Sequence, residues 1–535
     1  MSHPTTTARS APELLYRCGQ DWTEDILRQA WDEIEIIAKE ELKLTYYRPQ
    51  VEIITARQML DAYSSAGLPV FYKHWSFGKE FVFSEREYKR GNMGLAYEIV
   101  INSDPCIAYL MEENDANLQT MVMAHASVGH SAFFKNNCFF KENTDAGSIV
   151  DYLVFAKNYL KMCEEKYGEN AVEEVLDACH ALQNYGIDKY KRPKKLSTVQ
   201  EERRALERFE QELQEYDPVW EKVGKKKPKL TLELEPDPDF FSEPQENILY
   251  FIEKNAPHLP GWKREIVRIV RKLAQYFHPQ RQTKVINEGF ATFCHFYIMN
   301  RLYEKGLIDN GSMIDFLAHH GNVILQRDFT QFNPYKLGFS IFMDIKRLCQ
   351  GGEHVVKNQE LRWVPVTDED KHFFPNLIGK NWVEEVTYAM MNFKDETFIL
   401  QYLSPKVIRD LRLFCFNDPG LHAEDFVVTE IANERDFYEL RAKLAASYAI
   451  ENVIPDIQVT SVDYKGSRKI ILTHFIKRGR PLAIDDAKKV LTYVVDLWEY
   501  SAVLKTFEYN DDGEPVPNNL TALGKYTTKK LLDEG

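Results

Sequence analysis

The stretch "MAHASVGHSAFFKNN", residues 123–137, decides how this chain is understood. It has the composition of a buried helix, yet it carries two histidines, His125 and His130. Five residues of a regular α-helix turn by about 500°, which leaves the two imidazoles roughly 140° apart. A spacing of four would set both on one face, as in the H-E-x-x-H zinc motif. A spacing of five does so only if the helix carries a π-bulge or an irregular turn, and such features concentrate at functional sites. Gly129, just before His130, eases a distortion of that kind. Ala126 stands where a zinc peptidase of the usual type has the glutamate that takes a proton from water. Either the two histidines hold a metal ion, or one faces the core and the other lies near the surface.

A second stretch, "INEGFATFCHFYIMN" at 286–300, bears on the same question. Glu288 sits in an otherwise apolar helix, and a carboxylate buried without a partner is very costly. It needs a cation, a metal or solvent, or else the free backbone amides of a helix N-terminus. His295 follows seven residues later on the same face, about 10 Å along the axis. That places it behind a ligand or in a pocket wall, not on the same ion as Glu288. Tyr335, in "FNPYKLGFSIFMDIKR", is a candidate for steadying an oxyanion beside such a site. Asp344 and Lys346 of the same stretch are weaker candidates. His74, His180, His319 and His320 read as packing or helix-end residues.

The chain has 535 residues, 44% hydrophobic and 13% aromatic, enough for a large core. Its net charge of -14 argues against a general nucleic-acid or anionic-membrane binder. The eight cysteines include no C-x-x-C pair, which predicts free thiols in a reducing compartment. The first residues show no export signal, and no run of 18 apolar residues predicts a membrane span. The expectation is a cytoplasmic protein. Phosphate-cradling motifs and the G-x-S-x-G elbow are absent.

The periodicity predicts an α+β protein. Residues 1–20 read as a flexible N-terminus. A large, mainly helical domain with a small sheet follows over 21–415, with a charged excursion or linker at 196–243. Within it, "QVEIITA" and "LAYEIVIN" read as strands, the run after Pro105 as helical, and "GLPVFYKHWSFGKEFVF" as loop and strand. Residues 421–510 read as β-α-β-β-α-β, the ferredoxin-like order, and 511–535 as a tail.

The segments "LAYEIVINSDPCIAYLMEEN", "HSAFFKNN", "DACHALQNYGIDKYKRP", "SEPQENILYFIEKNAP", "NEGFATFCH" and "NPYKLGF" together resemble the SpoVR family, the stage V sporulation protein R-like proteins, across about 20–510. The resemblance implies a part in spore cortex formation or in stress and stationary phase. It also implies work alongside an AAA-type serine protein kinase and a von Willebrand-A-like protein. A fainter likeness to helical zinc peptidases implies a zincin-like arrangement. His125, His130 and Glu288 would hold one divalent ion, zinc by its donor set, and "YEIVIN" would be the edge strand beside an extended substrate. A water-activating base would then come from Glu98 or His295. Two functions remain open: a metal-dependent hydrolase acting on peptide or peptidoglycan-precursor bonds, or a non-enzymatic regulatory scaffold. RNA binding by the ferredoxin-like region fits poorly with the charge and the lack of stacking aromatics.

Overall fold

The computed structural model describes residues 13–64, 72–89, 98–189, 203, 244–327, 332–357, 360–413, 415–417, 427–429, 434–464, 466–476, 481–510 and 515–526. The charged excursion at 196–243 lies outside them, apart from residue 203. The chain divides into two units, one of Met1–Val154 and Pro279–Ala449, the other of Phe155–His278 and Ile450–Gly535. Among the described residues no helix is long and apolar enough to cross a membrane.

The first unit holds a three-stranded sheet. Cys106–Met111 is its central strand, parallel to Pro49–Ile54 and antiparallel to Glu98–Ile101. Glu98–Ile101 forms one edge. The run after Pro105 is therefore a strand, not a helix. "CIAYLM" is apolar throughout because a strand flanked on both sides and buried on both faces shows no alternation, and so looks like a buried helix in sequence. Conversely, "WSFGKEFVFSEREYK" forms the helix Trp75–Lys89, where a strand was expected. Its short apolar run is outweighed by flanking Lys, Glu and Arg, which favour helix. Within residues 13–20, Leu15 and Tyr16 are tied to the first unit. The Leu15 amide donates to the Leu307 carbonyl at 2.9 Å, and Tyr16 is buried.

Against the sheet run the helices that carry the candidate residues. Residues 116–136 form one rod in three parts: Ala116–Met123, a π-helical stretch Ala124–His130, and Ser131–Asn136. Lys284–Glu304 is a second rod and Pro334–Gln350 a third. Their packing is set by three glycines. A Cβ on Gly129 would lie 2.6 Å from the Cα of Ala291 and 2.8 Å from its Cβ. A Cβ on Gly289 would run into the backbone of Gly338, and one on Gly338 into the Val285 carbonyl. The Lys284–Glu304 helix is thus touched backbone-close on two sides. Gly129 serves this close approach; the sequence had suggested it served flexibility.

Asp395 closes the start of the same helix. It is buried, and its Oδ1 accepts the Ile286 amide at 2.9 Å. Asp395 therefore occupies the amides that Glu288 would need for the alternative of a helix-end carboxylate.

In the second unit, Asp456–Val462 and Ile470–Phe475 form the expected hairpin. The helix Ile484–Trp498 then carries the chain to Ala502–Tyr509, parallel to Ile470–Phe475. The β-α-β-β-α-β order over 421–510 is not what this sheet contains. Val427–Thr429 pairs instead with Cys415–Asn417. The helix Glu434–Tyr448 buries Phe437, Leu440 and Ala445 in the core of the first unit. Pro515–Ala522, within the expected tail, supplies the fourth strand beside Ala502–Tyr509. Its two prolines, Pro515 and Pro517, are tolerated because it lies at the edge of the sheet.

Gly129→Ala is expected to lower stability by about 1–3 kcal/mol or more, because the obstruction is a helix backbone that cannot rotate away. Gly321→Ala, in the helix Asn310–Val323 with nothing near its Cβ, should be neutral or stabilising by up to about 1 kcal/mol. Thermal unfolding of the two variants in parallel checks the contrast. Asp395→Ala should cost about 1–2 kcal/mol through loss of the cap, read in the same way.

Candidate metal centre

The π-helical stretch answers the spacing problem. With i→i+5 bonding, residues five apart come onto one side of the rod. His125 and His130 accordingly meet edge to face, with ring centroids 4.7 Å apart. Both rings are buried.

Two carboxylates reach them from different elements. Glu288, on the adjoining rod, places Oε2 3.4 Å from His130 Nε2 and 3.9 Å from His125 Nε2. Glu98, at the start of the edge strand, places Oε1 3.6 Å from His125 Nε2. One donor atom each from Glu98, His125 and His130 lie within 4.8 Å of one another. Tetrahedral ligands with bonds of about 2.0 Å stand about 3.3 Å apart, so these separations suit a single small cation. Two of the atoms, His125 Nε2 and Glu288 Oε2, are buried with no hydrogen-bond partner. Buried polar atoms are rarely left so, and both are of the type that binds cations.

Charge is distributed unevenly over the two acids. Burial pushes the Glu288 carboxyl up, but His130 and His125 against it overcome this and hold it well below the usual range. Burial keeps the Glu98 carboxyl above the usual glutamate value, with the two histidines opposing and Glu288 reinforcing the shift. Burial also pulls His130 down, but Glu288, Asn287 and Glu98 more than offset it.

Behind the pair, both imidazoles are anchored through their other nitrogen. His130 Nδ1 lies 2.9 Å from Asn287 Oδ1. His125 Nδ1 lies 2.9 Å from His295 Nδ1, and His295 Nε2 lies 2.9 Å from His320 Nδ1. If His125 offers its Nε2 lone pair forward, its Nδ1–H must donate to His295. His295 then donates from Nε2 to His320. All three rings are neutral in that order. Burial holds His295 well below the usual histidine value and His320 down at about 4, which agrees with it.

The structure thus brings His125, His130, Glu288 and Glu98 together. His295 lies behind His125 with both nitrogens engaged, so it is not placed to activate water. Tyr335 stands at the open side, its ring stacked on His125 at 6.3 Å. A cavity of about 270 Å³ opens there, walled by Glu98, Val100, His130, Phe134, Glu288 and Tyr335 among others. The remaining candidates lie elsewhere. His74 Nδ1 is 2.6 Å from Ser76 Oγ within an aromatic cluster. His319 faces Asp315 at 3.5 Å. Asp344 pairs with Arg347 at 2.6 Å, and Lys346 sits over Trp382. Sequence reasoning missed Asn287 and the role of His320. Asn287 adjoins Glu288, but nothing in a linear pattern pairs it with a histidine 157 positions away.

Comparison with known proteins shows which family the chain belongs to. The family description "SpoVR like protein" matches residues 21–453, and "SpoVR-like C-terminal domain" matches 455–509. No solved structure matches. The chain is 47% identical over 501 residues to "Uncharacterized protein YcgB" of Escherichia coli (strain K12), covering 92% of this chain and 94% of the relative. On the extent of these matches, the chain belongs to the SpoVR family.

Proposed function

We propose that this protein is a divalent-metal-dependent hydrolase of amide bonds, with zinc as the ion. The observation that carries the proposal is that two buried donor atoms, His125 Nε2 and Glu288 Oε2, lack a hydrogen-bond partner and lie together beside His130 Nε2. Two imidazoles and a carboxylate are a zinc donor set, and each imidazole is braced from behind as zinc ligands usually are. The arrangement is zincin-like in plan: paired histidines on one helix, a carboxylate on a later one, and an edge strand alongside. It departs from that plan in the source of the base.

A bound ion of this kind makes water acidic and polarises a carbonyl. The chain's residues would do the rest. His125, His130 and Glu288 hold the ion, Glu288 as the anionic ligand. Glu98, starting as its carboxylate, would take the proton from the attacking water and return it to the leaving nitrogen as the C–N bond breaks. The products are a carboxylate and an amine. Tyr335, which lines the cavity, would donate to the developing oxyanion. Ala126 no longer argues against hydrolysis, because the strand supplies the carboxyl that the helix lacks. The family resemblance directs the choice of substrate toward peptide or peptidoglycan-precursor amides.

Elemental analysis of the purified chain should find about one divalent ion per molecule, with His125→Ala and Glu288→Ala both losing it. Metal absent from the wild type sinks the proposal. Glu98→Gln should keep the ion and lower turnover of a peptide library by about 10²–10⁴-fold; loss of the ion instead would make Glu98 a ligand. His295→Phe should leave the fold intact and weaken metal affinity by about 10–100-fold, measured by competition with a chelator.

A further inference from the structure

The cavity before the donor atoms has one lysine or arginine in its wall, Lys284. Nothing in the proposed chemistry uses it. Lys284 lies one helical turn before Glu288, so the two share a face of the rod, about 6 Å apart along its axis. No carboxylate pairs with its ammonium among the described residues, although Glu98 and Glu288 line the same cavity and the chain carries a net charge of -14. Lys284 is exposed where it lines the cavity, so its ammonium can meet a ligand arriving from solvent. The lining also has an apolar part. Phe134 stacks on His130 with centroids 5.9 Å apart, and Val100 lies on the edge strand.

Resting on the hydrolase proposal, we infer that the substrate carries an anionic group near the bond that is cleaved, and that Lys284 selects it. The bond lies at the histidines, the apolar part against Phe134 and Val100, and the anion at Lys284. An ammonium is a compact point charge that accepts a carboxylate or a phosphate equally well. The class is therefore an acyl-amine with a nearby anion: a short peptide cleaved beside its free carboxylate, or a phosphate-bearing amide. Lys284 acts in specificity, not in bond breaking.

The test uses the full chain loaded with cobalt(II), whose visible spectrum reports ligands entering the centre. Acetohydroxamate, succinate monohydroxamate and phosphonoacetohydroxamate are titrated in turn. At least one anionic compound should bind about tenfold tighter than acetohydroxamate, as a charge-assisted contact predicts, and the tighter of the two identifies the anion. Lys284→Gln should abolish that advantage and leave acetohydroxamate unchanged, while Lys284→Arg retains most of it. Equal binding of all three compounds by the wild type, or an advantage that survives in Lys284→Gln, overturns the inference and leaves the metal centre standing. Failure of cobalt to bind, or of acetohydroxamate to alter its spectrum, overturns the metal centre and this inference with it.

Discussion

Everything at the centre depends on how closely three helix backbones approach one another. Helices bearing ordinary side chains pack with axes about 8–10 Å apart. Gly129 against Ala291, and Gly289 against Gly338, remove the side chains that would hold the rods further apart. Both contacts fall within one residue of a side chain of the cluster: Gly129 adjoins His130, and Gly289 adjoins Glu288. The short carboxylate of Glu288 can thus touch both imidazoles from a neighbouring helix. Tight packing is also what makes the separations definite, because a crowded interior has few alternative arrangements.

The second constraint is electrostatic. Four ionisable side chains share one small space beneath a cavity, and two of their atoms have no partner. Such a cluster is costly unless something compensates the charge. Asn287 and the His295–His320 relay hold the rings from behind, so that the forward nitrogens face the two carboxylates. Protein interiors do not usually keep four titratable groups together for packing alone, and perturbed groups gather at functional sites. Local rules are broken here, with a π-helical stretch, unsatisfied atoms and glycines inside helices, as happens where function competes with stability.

Much of the architecture was legible in the linear pattern. The long helices Gly261–Gln282 and Lys284–Glu304, the hairpin of the second unit and the helix Ile484–Trp498 followed from periodicity. The errors have a common cause. Cys106–Met111 looked helical because burial on both faces erases alternation. The β-α-β-β-α-β grouping failed because strand and helix order says nothing about which core a helix joins; Phe437 found its neighbours in the first unit, among them Phe373.

The amino-acid sequence by itself determined the family, the α+β class and the identity of the residues with chemistry to offer: His125, His130, Glu288, Glu98 and Tyr335. It also carried the anomaly of a five-residue histidine spacing, which demands an irregular helix before the two rings can meet. Only tertiary structure decided that they do meet, that Glu98 comes within 3.6 Å of His125, and that His295 lies behind the centre. The physical reason is range. Periodicity reports which face of an element is apolar, whereas convergence depends on backbone approach between elements 150 or more residues apart, and no local pattern encodes that distance.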